Sequence, residues 1–326
     1  MSDQNKPART SRHVRPAITR SRLIREAASE MVAAEGWKHQ QVRVSFREQG
    51  ATEWSVNFLG SDTPDAIAEI AAGDADIAII NPAAPVTLAL RGTGPFKDPI
   101  PVRAVTIIPS LDRMAFAVAA RTGLESISDI REKQFPLRLS LRGHLRHSVH
   151  FFLSEVLSAA GFTLEDIARW GGEIRYDDRM ANGPVRMNAL ANGAIDAIFD
   201  EAVGTWGNEA LAAGMRFLSF AERPLQKLEA MGFRRATITK SQCSRLNRDV
   251  VSLDFSGWMV FTRADVPDEV VRAFCHALEA RKDRIPWQGE GPLPLESMCR
   301  DTPACPLDVP LHPAAEKYWR ERGYLA

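Results

Sequence analysis

The 326-residue sequence contains no long apolar run: stretches such as Met114 to Ala120 and Ala83 to Leu90 fall far short of the roughly 20 residues that cross a bilayer. Direct membrane insertion is therefore not expected. There is no surplus of charge either, since 41 Lys+Arg stand against 41 Asp+Glu, so neither nucleic acid nor a membrane surface is indicated as a partner. The four cysteines, Cys243, Cys275, Cys299 and Cys305, form no CxxC pair and have no histidine at zinc-finger spacing, so neither a metal nor any other cofactor is expected. Only in an exported chain would Cys299 and Cys305 be candidates for a bridge. The amino terminus, MSDQNKPARTSRHVRPAITRSR, is basic and polar and lacks the apolar core of a secretory signal. As written, the chain is expected in the cytoplasm, with the periplasm as the alternative if its start is misassigned. GxSxG, HExxH and Walker-type motifs are also missing, which argues against the commoner hydrolytic and nucleotide chemistries.

What is present is an ordinary soluble composition, 45% hydrophobic and 25% charged, on a chain too long for one core and suited to two domains of roughly 150 residues. Residues 1 to 18 read as a flexible arm. From Ser21, apolar positions at helical spacing run to a stop near Gly36, and two β-rich runs follow, Gln41 to Phe46 and Trp54 to Leu59. GSDTP then signals a helix start, for a helix over Asp65 to Ala72 that ends at Gly73, before the short apolar strand Asp76 to Ile80. A similar cycle recurs: strand Leu137 to Leu141, loop RGHLRHS, helix Val149 to Ala160 closed by Gly161, strand Glu173 to Tyr176, a helix ending at Asn192-Gly193, and strand Ile195 to Phe199. AEIAAGDADIAII (Ala68 to Ile80) overlays NALANGAIDAIFD (Asn188 to Asp200) at one constant offset, which implies two lobes of similar α/β architecture. Such alternation implies parallel sheets, whose ligands sit outside the carboxyl ends of the strands.

The joins between these cycles resemble a known family. MAFAVAARTGLESISDIREK (Met114 to Lys133) is similar to the crossing strand and helix that enter the second lobe of type II solute receptors, and FSGWMVFTRADVPDEVVRAF (Phe255 to Phe274) to their return crossing. PLHPAAEKYWRERGYL (Pro310 to Leu325) resembles the carboxyl-terminal motif of the TAXI family, the TRAP-associated extracytoplasmic solute receptors. GDADIAI is shared more loosely with other type II binders, including the NMT1/THI5-like group. The resemblance spans roughly residues 50 to 325 and implies an α/β, two-lobed type II periplasmic-binding-protein fold with a ligand cleft between lobes and two hinge crossings. The first lobe would take residues 19–114 and 258–326, and the second 115–257. Three segments depart from the family pattern: HVRPAITRSR replaces the usual first strand and its small-residue loop, RGHLRHSVHFF (Arg142 to Phe152) puts bulky basic residues where small ones are usual, and TITKSQCS (Thr237 to Ser244) loses the Pro, Gly and Tyr of the segment before the return crossing.

Helix starts carry free amide N–H groups and partial positive charge, so anions are welcome there. Two starts face the expected cleft. In the first lobe Ser61, Asp62 and Thr63 would donate to a carboxylate or cap the helix. In the second, Arg142, His144, Arg146, His147 and Ser148 gather four basic side chains, which would hold an anion or pair with Glu155 and Asp178. Asn81 and the pair Asp200-Glu201 occupy equivalent strand ends, and the acids there would favour an amino group or counter the lobe's arginines. Trp206, Trp258 and Tyr176 would pack on a ligand body or belong to the core. The expected function is a solute receptor for a small anion, carboxylate-bearing, with TRAP-type membrane subunits as partners by resemblance. The alternatives are a cytoplasmic ligand sensor and an enzyme on the same fold, in which His144 or His147 would act as general base or acid.

Overall fold

A computed structural model of the chain describes residues 16–35, 41–47, 55–61, 63–177 and 180–326. Asp62, Asp178, Trp54, Gly36 and most of the expected amino-terminal arm lie outside the described residues. The chain divides into two compact units, Met1–Val42 and Arg43–Ala326. The first contains the helix Pro16–Glu35, which begins five residues before the expected Ser21 because Pro16 supplies a ready first helical position.

Among the described residues twelve strands follow in chain order: β1 (Gln41–Arg47), β2 (Ser55–Ser61), β3 (Ile77–Ile80), β4 (Val102–Ile108), β5 (Ala115–Ala119), β6 (Arg138–Arg142), β7 (Glu173–Asp177), β8 (Ala197–Asp200), β9 (Met215–Phe217), β10 (Arg235–Ile238), β11 (Val250–Leu253) and β12 (Trp258–Arg263). They build one sheet in the order β1-β2-β3-β12-β4, a second in the order β7-β6-β8-β5-β9, and the small ribbon β10-β11. The fold of residues 43–326 is thus α/β and two-lobed, on the type II binding-protein plan. Each sheet is sandwiched between apolar clusters, as the near-continuous burial of β3, β4, β5 and β8 requires.

The sheets are mixed, not parallel as the βαβ reading implied. β2 runs parallel to β3, and β6 parallel to β7 and β8, but β12 is antiparallel to β3 and β4 and β5 antiparallel to β8 and β9. The physical reason lies in the crossings. β5 and β12 each enter their sheet directly from the other lobe, with no crossover helix to reverse the chain.

The internal repeat has a structural counterpart with a twist. Sequence overlay aligns β3 with β8 and the helix Asp65–Ala72 with Pro184–Ala191, and so places β2 opposite the edge strand β7. By sheet position, however, β2 stands beside β3 where β6 stands beside β8. β2 therefore takes the inner place that β6 has in the second sheet, and its following helix start becomes the first lobe's counterpart of Arg142–Ser148.

The local causes are simple. In Asp65–Ala72, Ala66, Ile67 and Ile70 face the core, and Gly73 at φ +83° closes the helix by donating to Glu69 and Ile70 carbonyls. In Ser148–Ala160 the buried Val149, Phe152, Leu153, Val156, Leu157 and Ala160 follow helical spacing, and Gly161 ends it in the same left-handed way.

The lobes are joined by residues 109–114 and 254–257. These two crossings bond to each other: Met114 N–H donates to Leu253 O, Phe255 N–H to Asp112 O and Gly257 N–H to Ser110 O, each at 3.0 Å. Arg113 pairs with Asp254 at 2.5 Å and donates to Ser256 Oγ at 2.7 Å. Leu88, on the first lobe's helix Ala84–Arg91, is fully buried in the second lobe's core with Phe152, Leu228 and Phe233.

The carboxyl-terminal motif anchors the chain end. Trp319 is fully buried, and its Nε1 donates to Val105 O at 2.9 Å. Glu279 accepts from Tyr318 (2.5 Å), Arg322 (2.8 Å) and Tyr324 (3.1 Å).

Candidate ligand cleft

Carboxyl ends of strands from both sheets meet between the lobes. Asn81 follows β3, Ser61 ends β2, Arg142 ends β6, Asp200 ends β8 and Glu201 follows it. Two contacts bridge the lobes here: Arg146 Nε donates to Asp65 Oδ2 at 2.6 Å, and Ser148 Oγ to the Asn81 carbonyl at 2.8 Å. Helix starts that the sequence put on opposite sides of a cleft are therefore in register and in contact.

Of the partners open to the basic cluster, Arg142 takes the strand-end acids Asp200 and Glu201, while Glu155 takes no part. Arg142 Nη2 donates to Asp200 Oδ1 at 2.6 Å and to Glu201 Oε1 at 2.5 Å, and Arg146 pairs with Asp65; Glu155 lies elsewhere, beside Gly94. Behind Asp200 stands Arg186, a fully buried guanidinium that the sequence did not single out. It donates to Asp200 Oδ2 at 2.5 Å and to the hydroxyl and carbonyl of Ser140, both at 2.9 Å, while Ser140 Oγ in turn donates to Asp177 at 2.5 Å. The three arginines 142, 146 and 186 thus face the carboxylates of Asp65, Asp200 and Glu201, and the site carries no uncompensated cation among these pairs.

Asp112, on the first crossing, is the second residue the sequence reading missed. Burial pushes its carboxyl well above the usual range, and hydrogen bonding to and repulsion from Glu201 push it further. It also accepts the Ala202 N–H at 2.9 Å, and Ala202 sits in the left-handed region at φ +55°, a conformation that costs an alanine energy and that the loop's contacts enforce. The one available signal was a charged pair, Asp112-Arg113, set between apolar runs.

His147 begins the helix Ser148–Ala160. Its Nδ1 accepts the Val149 N–H at 3.2 Å, and its Nε2 lies 3.1 Å from Arg142 Nη1. Burial, then the positive charge of Arg142, lowers its pKa to about 2. A ring held there cannot serve as general base near neutrality, so the enzyme reading loses His147. His144 has its ring 6.0 Å from that of His147. In the first lobe, Ser61 Oγ accepts the Thr63 N–H at 3.2 Å and lies 3.2 Å from Thr63 Oγ1, which donates to Asp65 at 3.3 Å, so these hydroxyls brace their own loop.

Of the two roles open to Trp206, ligand contact and core packing, the structure gives it the core and corrects its place among the ligand-binding residues. It is fully buried in the second lobe's core, edge-on to Phe217, with Nε1 donating to Glu201 O at 2.7 Å; it steadies the Glu201 backbone and presents no surface to a ligand. The Cys299–Cys305 bridge is also absent. All four cysteines are free and buried, and Cys299 and Cys305 point their thiols at the Leu295 and Ile107 carbonyls. Among the described residues no group of three or more His, Cys, Asp or Glu could hold a metal, and no helix is long and apolar enough to cross a membrane.

Two polar atoms in the cleft are buried without a hydrogen-bond partner among the described residues: Asn81 Oδ1, an acceptor, and Arg142 Nε, a donor. Leaving such groups unpaired costs about 1–3 kcal/mol each.

The buried histidine sets an acid limit on stability. The His147 pKa in the fold lies below its unfolded value near 6.5, so its contribution is complete above pH 6.5 and is lost as pH falls from there toward 2. Against His147→Asn, which keeps a helix cap, the wild type is expected to lose about 1.4 kcal/mol of stability per pH unit between pH 6.5 and 4.5. Urea unfolding of both proteins across that range checks it; parallel pH profiles would refute the assignment.

Residues 52–323 match the model of the NMT1-like family. No curated protein matches the chain. Among solved structures, the periplasmic aliphatic sulphonate binding protein SsuA from Escherichia coli is 15% identical, over 66% of this chain and 57% of its own, with a TM-score of 0.34. The alkanesulfonate-binding SsuA from Xanthomonas axonopodis pv. citri, bound to MOPS, is 14% identical over 77% of this chain and 84% of its own, at 0.30. The glycine/betaine/L-proline-binding protein ProX from Borrelia burgdorferi is 10% identical over 66% of each chain, at 0.38. This chain therefore spans less than two thirds of the length of the Escherichia coli protein, and similarities at these scores carry no functional argument.

Proposed function

The chain belongs to the NMT1-like family, and from that premise we propose that it is a solute-binding protein that holds a small anionic ligand between its lobes. The observation that carries this reading is the meeting of strand ends and helix starts from both lobes around Arg142 and Asn81, each with a buried polar atom left unpaired. Arginine offers a planar fork matched to a carboxylate, and the Ser148 helix start adds backbone donors. The solute class that fits is a small carboxylate. The TAXI-like motif at residues 310–325, together with the receptor-like return crossing at 255–274, supports TRAP-type membrane subunits as partners.

Thermal unfolding with acetate, benzoate, succinate and glutamate tests the reading. A ligand present at a hundred times its Kd adds about 2.7 kcal/mol, a rise in Tm of roughly 5 °C for a chain of this size. No rise with any of the four, in the wild type or in a variant with the cleft carboxylates neutralised, would defeat it.

A further inference from the structure

We propose that Glu201 is a resident competitor for the solute, so that an anion enters by displacing the Glu201 carboxylate from Arg142. This rests on the solute-binding reading and names how that site would work.

The argument begins with the edge of a guanidinium. Nε and Nη2 lie on one side of the plane and together grip a carboxylate through two parallel bonds. Among the described residues three complete grips of that kind occur: Arg138 holds Asp196 at 2.7 and 2.7 Å, Arg234 holds Asp308 at 2.6 and 2.8 Å, and Arg235 holds Glu229 at 3.0 and 3.1 Å. On Arg142 the same edge is half filled. Nη2 serves two carboxylates while Nε is buried with no partner. An external carboxylate or sulfonate that completes this edge needs the Nη2 position, so a resident carboxylate has to leave.

The two residents are not equivalent. Asp200 is fully buried and gripped from behind by Arg186, which ties it to the second lobe's core. Glu201 has no cation but Arg142 among the ion pairs of the described residues, and it lies against Asp112, a second acid. Glu201 is the one that can be released.

Calorimetric titration of the full chain with methanesulfonate, benzoate and succinate tests this. Glu201→Gln, which keeps the side chain's length and removes its charge, is expected to bind at least about tenfold more tightly than the wild type. Glu201→Gln binding no tighter than the wild type overturns the competitor role and leaves the solute-binding reading standing. Failure of both proteins to bind any of the three anions overturns both. If Glu201→Gln does not fold, Glu201→Ala is titrated in its place, with the same expected result and the same refutation.

Discussion

Arg186→Met is expected to cost about 3–5 kcal/mol, because it removes one partner of a fully buried ion pair and leaves the other behind. Methionine fills much of the arginine's volume, so the loss is electrostatic more than a matter of packing. Asp200 would keep Arg142 on one oxygen, but its second oxygen and the Ser140 hydroxyl and carbonyl would lose their donors in a region closed to water. Neutralising the abandoned acid in Arg186→Met/Asp200→Asn is expected to recover at least half the loss, since the charge that made the vacancy costly is gone. Urea unfolding monitored by circular dichroism measures both. A single-variant cost below about 1 kcal/mol would mean that Asp200 does not depend on Arg186.

Trp319→Ala is expected to cost a similar amount, about 3–5 kcal/mol, through a different cause. The indole is fully buried against the first lobe's sheet, with Tyr318 and Tyr324 edge-on at 5.1 and 6.1 Å, and it bonds the Val105 carbonyl. Truncation opens a cavity and strips a donor from a buried carbonyl. Trp319→Phe separates the two effects: it keeps most of the volume and should cost about 1–2 kcal/mol. If both variants cost the same, the hydrogen bond and not the volume anchors the carboxyl terminus.

Much of the fold was legible because it depends on local signals. Glycines at 73 and 161 stop helices wherever they occur in a helical pattern, and the short apolar runs Ile77–Ile80 and Ala197–Phe199 announce buried strands without reference to neighbours. The sheet position of β2 was not legible: the repeat aligned it with an edge strand, and which neighbour a strand chooses is a tertiary decision. The site shows the same division. The strand-end rule put Asn81, Arg142, Asp200 and Glu201 in one place, and the structure brings them there. It offered Asp200 and Glu201 as one set of acids for the arginines but not Asp65 for Arg146, 81 residues away, a pairing that only the meeting of the lobes decides. Arg186, in a short helix after a proline, reads in sequence like any surface arginine. His147 looked like a cation and is a neutral helix cap, a role that burial alone decides.

The bonded crossings carry a mechanical consequence. Two independent tethers would let the lobes twist, shear and swing, but Met114–Leu253, Asp112–Phe255 and Ser110–Gly257 fuse them into a single strip. A strip of paired strands resists stretching and in-plane shear, since both break its rungs, and yields readily only to bending across its width. Relative motion of the lobes is thereby reduced to one soft coordinate, so any event at the cleft is read at the far rim as a rotation about a fixed axis.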